Sequence, residues 1–170
     1  MDLVELQHHS QRLGRVVFLA TVSPDGRPHS APVGIAWIED RIAAFLQTPS
    51  VKVRNLRHEG WAHLHWQVSD ETGNDSLLVE GPVTIVDTPD GRRALWHRMG
   101  YDLDQFEPGG PESDGHVFML LHPQRGALLR RFGFDGASRY LAADAEPVID
   151  LRELPSVDSP SGQAERRSGS

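Results

Sequence analysis

The residues best suited to chemistry lie in one run, Thr48-Pro49-Ser50-Val51-Lys52-Val53-Arg54-Asn55-Leu56. The run reads as a helix start, with Thr48 as N-cap, Pro49 at the first helical position and Gly60 as the stop. At such a start the amides of Ser50 and Val51 have no intrahelical acceptor. They sit at the positive end of the macrodipole, where a phosphate is stabilised. The hydroxyls of Thr48 and Ser50 add hydrogen-bonding capacity. Lys52 adds a compact positive charge, and Asn55 follows three residues later along the same helix face. Among 17 basic residues Lys52 is the only lysine. Arg54 and Arg57 read as solvated charges on the helix surface. A hydroxyl cap followed by a lysine also occurs on ordinary surface helices, so the elements around it must carry the argument.

Other constellations carry less. His63 and His65 share one strand face and would suit zinc with a third partner such as His116 or His122. No HExxH, no carboxylate at ligand spacing and no cysteine accompanies them, and no metal is assigned. Asp102 and Asp104 are acids of a polar loop, more simply solvated than paired for acid–base work. The loop 100–115 lacks a GxxxxGK phosphate cradle, and no GxSxG elbow supports a serine hydrolase. Trp61, Trp66 and Trp96 read first as core or interface aromatics.

The elements that must position the Thr48–Asn55 run are mostly strands. Residues 2–14 suit a short helix. VVFLATV (16–22) is β-branched and apolar, as in a strand buried on both faces. SPDGRP then supplies turn chemistry, with Gly26 at a left-handed position. Strands follow at 29–38 and 41–47, then the helix 48–60. WAHLHWQV (61–68) alternates, with Ala62, Leu64, Trp66 and Val68 on one face and Trp61, His63, His65 and Gln67 on the other. A polar loop spans 69–75, and a strand spans 76–87 in which Gly81-Pro82 marks a bulge or an edge. A helix at 89–100, a loop at 101–115 and strands at 116–122 and 127–133 complete the body. So few helices among six or seven strands exclude a doubly wound sheet and point to a mainly β fold, a β-barrel.

Bulk composition sets the remaining bounds. The 170 residues, 38% hydrophobic and 24% charged, suit one ordinary globular domain. The formal net charge of −7 gives no general attraction to nucleic acid. Apolar runs fall short of the ~20 residues of a membrane span, and the N-terminus lacks a signal-peptide core. The expectation is a cytoplasmic protein with no membrane or nucleic-acid partner. Residues 1–133 form the expected barrel domain and 134–154 a C-terminal extension in which only VIDLREL (148–154) packs. Residues 155–170 form an expected disordered tail.

Taken in order, FLATVSPDGRPHSAPVGIAW, FLQTPSVKVRNLR, LLVEGPVTIV and ALWHRMGYDLDQFEPGGP resemble the pyridoxamine 5'-phosphate oxidase-like split barrels, over roughly residues 10–132. That family includes FMN-dependent and deazaflavin-dependent oxidoreductases. The resemblance implies a six-stranded split β-barrel of FMN-binding type and a homodimer with two cofactors in the subunit crevices. It places the phosphate at Thr48, Ser50, Lys52 and Asn55. The ring would run along Ser30, Ala31, Pro32, Val33 and Gly34, covered by the second subunit through Trp66, Trp96 or Tyr101. The cofactor that the resemblance implies is FMN, with the deazaflavin coenzyme F-420 as the alternative, and the partner it implies is a small-molecule substrate. Two departures argue against oxidation of pyridoxamine phosphate itself. Ser30-Ala31-Pro32 stands where those oxidases carry an arginine, and the chain ends in SPSGQAERRSGS where they carry a basic segment that grips substrate. Because a flavin carries the hydride, no protein acid, base or nucleophile is required and none is named. The rival readings are a non-catalytic flavin carrier, store or redox sensor, and a cofactor-free interaction barrel.

Overall fold

A computed structural model describes residues 1–145. The segment 148–154 and the tail 155–170 lie outside the described residues. Helix α1 (Leu3–Leu13) leads into β1 (Val16–Val22), β2 (Pro28–Ile38) and β3 (Arg41–Gln47). Helix α2 (Val51–Glu59), β4 (Trp61–Trp66), β5 (Ser76–Val86) and helix α3 (Pro89–Trp96) follow. Strands β6 (His116–Leu121), β7 (Arg125–Leu129) and β8 (Ala137–Leu141) complete the order. All pairings are antiparallel. The ring β1–β2–β3–β6–β5–β4 closes because β4 pairs with both β1 and β5, giving a six-stranded barrel. Strands β7 and β8 extend from β5 as a flap.

The interior is filled from alternate positions of the strands. Val17, Leu19, Ile42, Ala44, Leu46, Leu64, Leu77, Met119 and Leu121 are all fully buried. A smaller cluster lies on the outer side of β3 and β6. There Ala43 and Phe118 meet Leu95 and Trp96 of α3, with Met99 and Leu103 of the following loop.

Strand β2 serves two neighbours in turn. Residues 28–34 pair with β1, and pairing with β3 begins only at Ile35 opposite Ala44. Before Ile35 the edge of β2 that faces away from β1 has no strand partner among the described residues. This is where the barrel splits.

Four local expectations are corrected. The 16–22 strand is buried on one face only, since Val16, Phe18 and Val22 point outward and remain exposed. The helix begins at Val51: Ser50, extended at φ −145°, is its N-cap and accepts from the Val53 amide. Thr48 instead extends β3, with its amide and hydroxyl donating to the Gly115 and Asp114 carbonyls, and its bond to Pro49 is cis. The strand expected at 127–133 runs from Arg125 to Leu129 and ends in a tight turn at Arg130–Gly133. The chain then returns as β8, a strand unforeseen beyond residue 134, so the sheet continues past the expected domain boundary at 133.

Candidate functional site

The split between β2 and β3 opens into a cleft of about 190 Å³, lined chiefly by Pro32, Val33, Gly34, Lys52, Tyr101 and Phe106, with Phe45 and Gln47 of β3. One wall is the unpartnered edge of β2. At one end lies Lys52, which has no carboxylate within ion-pair reach among the described residues. The amides of Val51 and Lys52 open the helix beside it without intrahelical acceptors. At the other end the Tyr101 hydroxyl donates to the Gly34 carbonyl at 3.1 Å. Burial raises the Tyr101 pKa above the ordinary phenol value, with Arg15 and the Phe45 backbone opposing, so the group stays protonated at neutral pH. The loop 101–115 is fastened to the end of β3. Gln47 donates to the Phe106 carbonyl at 3.0 Å, and the Thr48 hydroxyl donates to that of Asp114 at 3.0 Å.

Four of the nine expected site residues, Pro32, Val33, Gly34 and Lys52, therefore meet in one cleft. Ser30 and Ala31 continue along the same unpartnered strand edge. Ser50 is at the helix mouth but its oxygen serves as the cap, and the Thr48 hydroxyl is committed to the loop. Asn55 is placed elsewhere. Its side chain is fully buried and donates to the Thr21 hydroxyl at 3.1 Å, because α2 turns Val53, Asn55 and Leu56 toward the barrel.

The aromatic residues expected from a second subunit are also reassigned. Trp66 is fully buried, its indole donating to the Ser10 and Gly14 carbonyls. Trp96 is buried against His116 and Phe45. Tyr101 lines the cleft of its own chain. Phe45, Gln47 and Phe106 were not foreseen. Phe45 and Gln47 follow the alternation of β3, which was a usable signal, whereas a loop residue such as Phe106 has no periodicity to read.

The outward faces form a second feature. Paired residues of antiparallel strands share a face, so the register sets Pro32, Phe18, His65, Leu78, Ala127 and Arg139 in one row across β2, β1, β4, β5, β7 and β8. Phe18, Val16, Val22, Trp61 and Leu141 are exposed on this side. Its far end forms a larger, mainly apolar groove of about 440 Å³ over β5, β7 and β8, rimmed by His63, Glu80, Arg125 and Arg139. Glu80 accepts from Arg125 at 3.1 Å. His63 and His65 lie on this outer side, whereas His116 is enclosed by Phe45, Trp96 and Phe118. Among the described residues no three histidine or acidic side chains gather as a metal site. No helix among them is long and apolar enough to cross a membrane.

The comparisons with known proteins agree with this architecture. No curated protein sequence matches the chain. Among solved structures it resembles a heme binding protein from Mycobacterium smegmatis at 16% identity and TM-score 0.63, covering 82% of this chain and 57% of that one. It resembles a pyridoxamine 5'-phosphate oxidase-related, FMN binding protein from Nostoc punctiforme at 19% identity and TM-score 0.58, covering 85% and 96%. It also resembles an F420 reductase at 23% identity and TM-score 0.52, covering 69% and 94%. At these identities the likeness shows the fold. A family model described as pyridoxamine 5'-phosphate oxidase matches residues 11–130, from the end of α1 through β7. With its barrel split beside β2 and its sequence matched over that span, the chain belongs to the pyridoxamine 5'-phosphate oxidase family.

Proposed function

We propose that this chain binds a flavin-type cofactor, FMN or the deazaflavin coenzyme F-420, in the β2–β3 cleft. On this reading it is an oxidoreductase that moves hydride to or from a small organic substrate. The observation that carries the reading is the strand edge of residues 28–34, which among the described residues has no strand partner and runs to a lysine without a counter-ion. Lys52 and the amides at the start of α2 suit a phosphate, while the backbone of Ser30–Gly34 suits the polar edge of a planar ring. A bound flavin supplies the hydride chemistry; the protein's part is to anchor the phosphate, align the ring on β2 and keep water away. Among the described residues no imidazole lines the cleft, which favours the flavin over a heme ligand. Its one phenol is engaged by Gly34.

The same reading calls for a second copy of the chain. A cleft of about 190 Å³ is smaller than the ~300–1,000 Å³ of typical ligand sites. The exposed apolar row begins at Pro32, a wall of that cleft, and provides the surface on which a second copy would seat and complete it. The larger groove lies on this same face and is assigned to that interface.

A parallel titration of the apoprotein with FMN and coenzyme F-420, each followed by reduction and exposure to organic acceptors, tests the proposal. Saturable binding of one cofactor with rapid reoxidation by a particular acceptor is expected. Binding with indifference to every acceptor would make the protein a carrier, store or sensor. Refusal of both cofactors would reject the site.

A further inference from the structure

The free edge of β2 is held at one point, and the way it is held implies selection. Glycine at residue 34 leaves room for Tyr101 to reach the Gly34 carbonyl, since a Cβ there would lie 3.0 Å from the hydroxyl oxygen and press the ring back by a few tenths of an ångström. Arg15 lies 5.2 Å from the centroid of the Tyr101 ring. Its Nη1 is 3.4 Å from the Gly100 carbonyl, at the start of the same loop. Phe106 meets the Tyr101 ring edge-on at 6.5 Å. Arg15 also borders a separate cavity of about 240 Å³ with Gly14, Ile35 and Trp37, so the group backing the phenol is next to open space.

Resting on the cofactor reading above, we propose that Tyr101 is a specificity latch, whose hydroxyl occupies the Gly34 carbonyl until a ligand brings a donor of its own to that atom. Binding is then an exchange. A ring edge that carries an N–H flanked by carbonyls, as in the pyrimidinedione of a flavin or deazaflavin, replaces the hydrogen bond it breaks. A ring whose edge only accepts, or a porphyrin, leaves the carbonyl unsatisfied and is discriminated against. Tyr101 acts here by closing the strand edge to ligands that lack the donor, and no bond to the cofactor's reacting atoms is involved. Gly34 is the partner that gives the ring its room.

The chain has two tyrosines, Tyr101 and Tyr140. Labelling with 3-fluorotyrosine therefore gives two fluorine resonances, assigned with Tyr101→Phe. FMN is expected to move the Tyr101 resonance. Tyr101→Phe should bind FMN roughly twofold to tenfold more tightly, because no internal bond must be broken first. An FMN analogue methylated at N3, which lacks the donor, should bind the wild-type protein about tenfold or more weakly than FMN. FMN binding with a stationary Tyr101 resonance overturns the latch and leaves the cofactor site standing. Weaker FMN binding by Tyr101→Phe, or equal affinity for the methylated analogue, does the same. Failure of FMN and coenzyme F-420 to bind either protein removes the underlying site.

Discussion

At the scale of single residues, Lys52 and His116 make opposite kinds of prediction. Lys52 lines the cleft with no ion-pair partner among the described residues, so its charge serves the folded protein little. Lys52→Ala should weaken cofactor binding about tenfold to a hundredfold, the loss of one charge-assisted hydrogen bond. Lys52→Arg should recover only part of that loss, because a planar fork presents its charge differently. The melting temperature should hardly move in either variant, and measuring affinity and melting together separates a ligand contact from a surface charge. His116, by contrast, is fully buried, and neither ring nitrogen has a hydrogen-bond partner among the described residues. Burial first, and then Arg92, hold its pKa below the ordinary histidine value, with Glu107 opposing. Burial lowers His65 and His9 as well. Above about pH 6.5 these rings are neutral in both folded and unfolded chains, and they make no pH-dependent contribution. Below it the unfolded chain takes up protons that the folded chain refuses, so stability falls as pH falls. His116→Leu should flatten that loss as pH falls below about 6.5, read as urea midpoints across a pH series. An unchanged slope would mean that the imidazole titrates freely in the folded protein.

At the scale of elements, β5 shows how one residue lets a strand serve two parts of the sheet. Residues 76–80 pair with β7 and residues 83–86 with β6, and Gly81 lies at the change. A Cβ on Gly81 would fall 1.9 Å from the His122 carbonyl oxygen, an approach that backbone cannot relieve without moving the β6–β7 connection. Gly81→Ala should therefore cost about 3 kcal/mol or more, or prevent folding altogether. Gly26→Ala is the control. It has positive φ but open space around it, so its cost should be about 1 kcal/mol. Denaturant unfolding of both variants provides the comparison, and equal losses would remove the steric account of Gly81.

At the scale of the whole molecule, the decisive surface is the outer face of the six-strand row. Val16 is 56% exposed, Trp61 41% and Leu141 60%, values that suit a second copy better than water. Sedimentation at micromolar concentration should give a particle of about 38 kDa, twice the 18.9 kDa chain. Phe18→Asp puts a charge between Pro32 and His65, at the end of that row beside the cleft. It should yield a folded monomer whose cofactor affinity falls together with its dimerisation. A Phe18→Asp monomer that binds cofactor like the wild type would show that one chain carries the complete site.

Strand alternation, turn glycines and helix caps are local properties, and by themselves they determined the mainly β barrel and the order of its elements. They also determined the juxtaposition of a strand end, a capped helix and a lone lysine. The local signals misplaced the helix start by choosing Thr48, because Ser50 and Thr48 are chemically interchangeable as caps. Only the loop carbonyls of Asp114 and Gly115 commit Thr48 to β3. They placed Asn55 with Lys52 because helical spacing cannot tell which arc of a short helix the barrel will bury. They read 16–22 as buried on both faces because apolar composition does not tell a core side chain from one left exposed, as Val16, Phe18 and Val22 are. Tertiary structure alone decided that β2 leaves β3 before Ile35, and so where backbone is left without a partner. It also brought Tyr101 from a loop 67 residues away onto Gly34. Such long-range contacts depend on chain closure and packing, which no window of neighbouring residues encodes.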